Sequence, residues 1–249
     1  MVDVDAAIIT VRNSSKRLPS KSTIKITSEL RSIDILIKRA QKTELPVIIA
    51  TSNDPSDDIF EDIAQNHNVK IFRGSLVNKI KRWYDCFNYF KIKNALLVDG
   101  DDLAYNYEIG KRAIYQLKNL KVEMILNPSN IICGFFTYAL NLNGISKLYD
   151  VAKNENIDTD VIHKFIQLAN LKTSFIKLDE TECNKEIRLT LDYEEDLDFF
   201  KKLYQNVSVT ATGTDIVKFL EKNIIIKEIN YHKQKDFLNN QMKFNESIK

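Results

Sequence analysis

Ala7-Ile8-Ile9-Thr10-Val11-Arg12-Asn13-Ser14-Ser15-Lys16-Arg17-Leu18-Pro19-Ser20-Lys21 is the stretch where this chain changes character. The apolar, largely β-branched run from Ala7 to Val11 reads as a short buried strand. It breaks into a polar loop in which Arg12, Lys16, Arg17 and Lys21 stand with Ser14 and Ser15. Such a density of cations and hydroxyls suits a triphosphate. Guanidinium forks and ammonium groups neutralise phosphate oxygens, and hydroxyls and loop amides complete the cradle. The location fits as well, because open α/β sheets bind ligands beyond the carboxyl ends of their strands. Taken alone, the loop also reads as a solvated basic turn.

Outward from the loop, the pattern repeats. Ser28 is expected to cap a helix running to Lys42, with Leu30, Ile33, Ile37 and Ala40 on its apolar face. Pro46 to Ala50 predicts a second strand ending in Thr51-Ser52-Asn53-Asp54, and a helix follows from Ser56-Asp57-Asp58 to Asn66. Val69 to Phe72 predicts a third strand closing on Arg73-Gly74-Ser75, then a helix over Val77 to Phe90. Asn94 to Val98 predicts a fourth strand ending in Asp99-Gly100-Asp101-Asp102. Repeated alternation of this kind predicts a parallel sheet with helices on both faces.

Beyond Tyr107 the spacing predicts a helix to Leu120 and a strand over Val122 to Leu126. The apolar, aromatic segment Ile131 to Leu142 is either a core strand or part of a dimer surface. Helices follow over Gly144 to Lys153 and Thr159 to Asn170, a strand over Lys172 to Leu178, and a polar loop over Asp179 to Lys185. Ile187 to Asp192 alternates as a strand running into the acidic helix start Glu194-Glu195-Asp196-Leu197. Val207 to Thr210 is expected as an edge strand, Asp215 to Lys222 as a helix and Ile224 to Ile229 as a strand. A polar tail from His232 carries Phe237, Leu238, Met242 and Phe244.

With 249 residues and 44% hydrophobic content, the chain can build one sizeable α/β domain. A net charge of +2, from 36 basic and 34 acidic residues, argues against a nucleic-acid or polybasic membrane partner. Cys86, Cys133 and Cys183 are widely spaced, which fits reduced thiols and a cytoplasmic protein. No apolar run approaches the roughly 18 residues of a membrane span. His67, His163 and His232 are isolated, and neither a Walker-type loop nor a dinucleotide fingerprint is present. A triphosphate site calls for Mg²⁺, which prefers hard oxygens and takes one or two carboxylates with phosphate and water. Acids at strand ends facing the basic loop are the candidates: Asp99, Asp101 and Asp102 after the fourth strand, and Asp192 after a late one.

The order Arg-x-x-Ser-x-Arg-Leu-Pro-x-Lys directly after the first strand resembles the nucleotide-binding loop of the sugar-activating cytidylyltransferases. These make CMP-sialic acids and CMP-KDO and include the spore-coat polysaccharide group. The family's loop usually has glycine where this chain has Ser14 and Ser20. Ala50-Thr51-Ser52, Phe72-Arg73-Gly74-Ser75, Gly100-Asp101 and Arg188-Leu189-Thr190-Leu191-Asp192 match further family segments, and Arg82 falls where that group has a helix arginine. Where the spore-coat group continues Gly-Asp-Cys-Pro, this chain has Gly100-Asp101-Asp102-Leu103.

The resemblance implies a Rossmann-like nucleotide-diphospho-sugar transferase fold, a mostly parallel mixed sheet with helices on both faces. It implies transfer of CMP from CTP to a sugar acid, phosphate or phosphonate, a small anionic acceptor, with release of pyrophosphate. Arg12, Ser14, Ser15, Arg17 and Lys21 would then hold the triphosphate, Thr51, Ser52 and Arg73 the base and ribose, and Gly100 the nucleotide. Asp101 and Asp192 would hold Mg²⁺, and Arg12, Arg17, Lys21 and Asp101 would act in catalysis. Residues 1–105 become a nucleotide-binding half, 106–230 an acceptor and dimerisation half of a homodimer, and 231–249 a tail. Two other readings compete: a glycosyltransferase using a nucleotide-sugar donor, and an inactive nucleotide-binding relative.

Overall fold

Residues 6–9 are wholly buried because the strand that contains them is central. The computed structural model describes residues 4–14, 17–154, 157–159 and 161–239. Strand β1 (Val4–Thr10) pairs in parallel with β2 (Val47–Ser52) on one side and β4 (Ile92–Asp99) on the other. Beyond β2 lies β3 (Lys70–Gly74), also parallel. Helices α1 (Ser32–Gln41), α2 (Ile59–Asn66) and α3 (Lys79–Phe90) make the crossovers that parallel strands require.

After α4 (Tyr107–Leu120) the sheet turns mixed. β5 (Met124–Leu126), β6 (Tyr138–Asn141) and β7 (Thr173–Phe175) complete the order β3-β2-β1-β4-β6-β5-β7, with β6 antiparallel to both β4 and β5. Helices α5 (Leu142–Val151) and α6 (His163–Leu168) lie between β6 and β7, and α7 (Glu194–Asn206), α8 (Gly213–Lys222) and α9 (Ile224–Tyr231) follow. Successive β1 side chains point to opposite faces. Ala7 and Ile9 join the layer built with α1, α2, α4, α7 and α8, and Ala6 and Ile8 join that of α3, α5 and α6. The mostly parallel mixed sheet with helices on both faces is the expected one.

Several local expectations change. Ser28 does not cap α1; the helix begins at Ser32, where the Asp34 carboxylate accepts from the Arg31 backbone N–H at 2.8 Å. Residues 24–31 instead fold back, with Ile26 N–H donating to Leu30 O at 3.0 Å. Residues 187–192 are buried but join no strand ladder; Arg188 makes one isolated bridge with Cys133. Residues 207–210 form no edge strand. The isoleucine-rich run from Ile224 is helix α9, not a strand. Ile226 and Ile229 pack on the core at helical spacing while Ile224 and Ile225 are 54% and 84% exposed. Of the segment 131–142 only four residues become β6, yet Ile132, Phe135, Phe136, Ala139 and Leu140 are all buried in the core. The tail continues as helix over residues 233–239, and Met242 and Phe244 lie outside the described residues.

Arg39 of α1 is completely buried, with its fork on backbone carbonyls. Nε donates to Tyr105 O at 2.8 Å, one terminal nitrogen to Val209 O and Ala211 O at 2.8 and 3.0 Å, and the other to Ala104 O at 3.2 Å. The Tyr107 ring faces the guanidinium at 5.5 Å.

Candidate active site

The loop leaving β1 runs across the carboxyl ends of β1 and β4, and its shape follows from local bonds. Asn13 N–H donates to Asp57 Oδ1 at 2.6 Å, and the Asn13 amide to Ser56 O at 3.2 Å. Lys21 O accepts from the Ser32 hydroxyl at 2.6 Å, so the start of α1 fixes where Lys21 stands. Ser20, a glycine in the family pattern, takes φ +54°, the left-handed region. The loop thus keeps the backbone path that glycine allows, at a cost in steric strain. Gly100 permits the close approach of β1 to the end of β4. A Cβ there would stand 2.7 Å from Thr10 O and 3.1 Å from Val11 Cβ.

Lys21 is the centre of the site. Its Nζ donates to Asp101 Oδ2 at 2.7 Å and to Asp192 Oδ1 at 2.8 Å, groups 80 and 171 residues away in sequence. Arg17 adds a bond to the same Asp192 oxygen at 2.7 Å. Burial opposes the charge on Lys21, but Asp101 and Asp192 outweigh it and raise its pKa. Burial likewise opposes ionisation of Asp192, and Lys21 and Arg17 overcome it, holding the carboxyl at about 2. Two carboxylates thus converge on one cation. Asp192 Oδ2 is buried and accepts no hydrogen bond among the described residues, with an Arg188 terminal nitrogen 3.6 Å away. A buried carboxylate oxygen with open valence suits a hard divalent cation that takes its remaining ligands from phosphate and water. Among the described residues no group of three or more His, Cys, Asp or Glu side chains forms a complete metal cage.

Arg12, Ser14, Arg17, Lys21, Gly100, Asp101 and Asp192 all line one cleft of about 790 Å³. Ser15 and Lys16 lie outside the described residues. Thr51, Ser52 and Arg73 are not among the lining residues. Thr51 and Ser52 are fully buried, and their hydroxyls donate to Asp57 Oδ2 at 2.9 and 2.5 Å. Because the other oxygen of Asp57 holds Asn13, these residues buttress the loop from behind. Arg73 binds Ser52 O and Asp54 O at 3.0 and 2.9 Å and the carboxylates of Asp58 and Glu61 at 2.6 Å each. It ties the ends of β2 and β3 to α2.

The cleft also holds Lys79, which the sequence does not single out, together with Arg82 and Asp102, which it does. Lys79 and Arg82 from the start of α3 line it, Lys79 standing 3.8 Å from Asp99. Asp102 lines it too, accepting from the Thr137 hydroxyl at 3.2 Å. Burial, then the nearby Asp101 and Asp99, push the Asp102 carboxyl well above the usual carboxylate range.

Behind Asp192 the Asp196 carboxylate is fully buried and accepts five bonds. Two come from the Arg188 fork at 2.9 and 3.0 Å, two from the Asp192 and Tyr193 backbone N–H groups at 2.8 and 3.0 Å, and one from Asn230 at 2.8 Å. The Glu-Asp-Leu segment marks Asp196 in the sequence; its anchoring role becomes visible only in three dimensions.

A second groove, about 860 Å³, lies at the opposite end of the sheet. Its lysines face Asp5 and Glu123, as in the Lys118–Asp5 pair at 2.9 Å, and it is remote from the strand ends where such folds bind ligands. Among the described residues no helix is long and apolar enough to cross a membrane.

A profile of the family described as cytidylyltransferase matches residues 6–242. An uncharacterized protein of Methanocaldococcus jannaschii is 27% identical over 228 residues, 90% of this chain and 93% of that protein. The spore coat polysaccharide biosynthesis protein SpsF of Bacillus subtilis is 26% identical, over 87% of this chain and 93% of its own length. Among solved structures, a cytidylyltransferase from Leptospira borgpetersenii has the same fold, with a TM-score of 0.82 and 21% identity. That likeness covers 91% of this chain and 98% of the Leptospira chain.

Proposed function

The chain belongs to the cytidylyltransferase family, and from that premise we propose that it transfers CMP from CTP to a sugar-type acceptor with Mg²⁺ as cofactor. The observation that supports this reading is the meeting of the basic loop with two strand-end carboxylates at Lys21. In the reaction an acceptor oxygen attacks the α-phosphorus of CTP in line. A new P–O bond forms, the bond between the α-phosphorus and the bridging oxygen breaks, and pyrophosphate leaves with the electron pair.

Catalysis of this kind is mostly positioning and charge neutralisation. Arg12, Arg17 and Lys21 bind the triphosphate oxygens. Lys21, held charged by its carboxylate partners, would meet the negative charge that accumulates on the leaving group. Ser14 offers an exposed hydroxyl on the same side, and Ser15 is its sequence neighbour. Asp101 and Asp192 would hold Mg²⁺, which supplies a Lewis acid for the phosphate oxygens. The buttress of Thr51, Ser52 and Asp57 keeps the loop in place, and Arg73 shapes the strand ends behind it. A sugar acid, phosphate or phosphonate serves as acceptor, and the chain works as a homodimer, which sedimentation of the purified protein tests.

The decisive assay is pyrophosphate release from each of the four ribonucleoside triphosphates with Mg²⁺ against a panel of sugar acids, sugar phosphates, polyol phosphates and phosphonates. Release with CTP and one acceptor class is the expected result. Asp101→Asn should abolish it with an unchanged circular dichroism spectrum. Activity that survives Asp101→Asn removes Asp101 from the reaction, and release with another nucleotide in place of CTP overturns the choice of donor.

A further inference from the structure

One flank of the cleft is apolar. There Phe237 and Leu238, from the C-terminal helical turn, line the cleft with Ile131 and Cys133. The pieces form one surface. Leu189 N–H donates to Cys133 O at 2.9 Å, Arg188 donates to Gln234 Oε1 at 3.2 Å, and the Phe237 ring lies 4.9 Å from the Arg188 guanidinium. The same guanidinium stands 3.6 Å from Asp192 Oδ2, so the apolar flank begins beside the metal carboxylate. Leu238 remains 49% exposed.

Apolar side chains left open inside a charged cleft gain from being covered by an apolar part of a ligand. The phosphates of CTP cannot provide it. Of the loop cations, Arg12 reaches the other way and bonds Leu76 O, just past β3, at 3.4 Å, while Arg17 and Lys21 end on Asp192 at the near edge of the flank. The apolar wall comes from the segment after β5 and from the chain's C-terminal turn, on the far side of β4. On the reading that CMP is transferred, the partner that meets this flank is the acceptor.

We propose that residues 234–238 form a wall of the acceptor subsite, and that the acceptor sugar carries an apolar substituent, a deoxy C-methyl or an acyl group, near the attacking oxygen. Arg188 and Gln234 lock the wall to the Asp192 side of the cleft, so the substituent and the attacking oxygen are registered against the same support.

The test is pyrophosphate release from CTP with Mg²⁺ using matched sugar pairs. The pairs differ only in methyl against hydroxymethyl, or in N-acetyl against free amine. The deoxy or acylated member should show kcat/KM higher by about tenfold or more, the discrimination an apolar pocket reaches per small group. Phe237→Ala should shrink that ratio toward unity and leave the KM for CTP unchanged. Leu238→Asn, at a half-exposed position, does the same without disturbing packing. Equal turnover of both members by the parent protein overturns the wall and leaves CMP transfer standing. A raised KM for CTP in Phe237→Ala with the ratio intact also overturns it, placing the wall against the nucleoside. Absence of turnover with every triphosphate and sugar refutes CMP transfer, and the wall falls with it.

Discussion

Asp196→Asn removes one charge and almost no volume, so its cost isolates electrostatics from packing. In the native protein the carboxylate accepts the Arg188 fork at 2.9 and 3.0 Å and three further bonds, all in full burial. The amide leaves the buried Arg188 guanidinium with Asp192, at 3.6 Å, as its nearest remaining carboxylate. It also presents N–H groups to donors. Breaking a buried ion pair by removing one partner costs about 3–5 kcal/mol. In a chain of this length each kcal/mol lowers Tm by roughly 2–4 °C, so calorimetry at neutral pH should show a drop of about 6–20 °C. The double replacement Arg188→Met with Asp196→Leu removes both charges and should regain most of that stability, because a packed apolar pair of similar volume is often no worse than the ion pair. It should not regain activity, since the backbone bonds that orient Asp192 are still lost. A Tm for Asp196→Asn within about 2 °C of the parent would show that this network carries little energy and would refute the reasoning.

Ser20→Gly relieves the left-handed serine at φ +54° and should raise stability by up to about 1 kcal/mol in urea titration, with the loop path unchanged; a loss of stability would show the strain is absent. Asp192, held at about 2, contributes stability that is complete above about pH 4 and lost as pH falls toward 2. The amount is about 2 kcal/mol, so Tm against pH should fall more steeply on that limb for the parent than for Asp192→Asn, and parallel curves would contradict it. Thr51→Val deletes one buried bond to Asp57 and should cost about 1–3 kcal/mol of stability. Its KM for CTP should change less than that of Arg12→Ala, whereas the reverse order would return Thr51 to the nucleotide. Burial pushes the thiols of Cys86 and Cys133 up to about 12, so neither should alkylate in the native protein near neutral pH, as mass mapping would show.

The central strands, the first three crossovers and the basic loop after β1 were legible because each rests on local signals. Apolar β-branched runs stop at polar strand ends, and helices α3 and α4 show clear periodicity. The pairing of Asp101 with Asp192 came from strand-end position and family resemblance, and the structure joins both to Lys21. Two of the local expectations that failed were decided by tertiary neighbours. Ile224 to Ile229 has strand propensity, but the chain there lies against α7 and α8 and turns helical. Arg188 to Asp192 alternates like a strand, yet its backbone bonds go to the Asp101 and Cys133 carbonyls and to Asp196. Thr51 and Ser52 have the residue types that contact a nucleotide, but Asp57 claims their hydroxyls. Hydrogen-bond destination is a property of three-dimensional neighbours, and no single-sequence pattern encodes it.

Arg39 bears on how such a chain could be divided. Its guanidinium, carried by α1, is solvated by carbonyls of residues 104, 105, 209 and 211. Cutting the chain near residue 105 leaves Arg39 with the Ala104 and Tyr105 carbonyls and removes those of Val209 and Ala211, so half of its cradle comes from beyond the cut. The segments before and after residue 105 are therefore not interchangeable cassettes. Grafting a foreign second segment onto residues 1–105 requires the graft to bring carbonyls equivalent to those of Val209 and Ala211 for Arg39. A chimera that lacks them should be rescued by Arg39→Met more readily than by repair of the cleft.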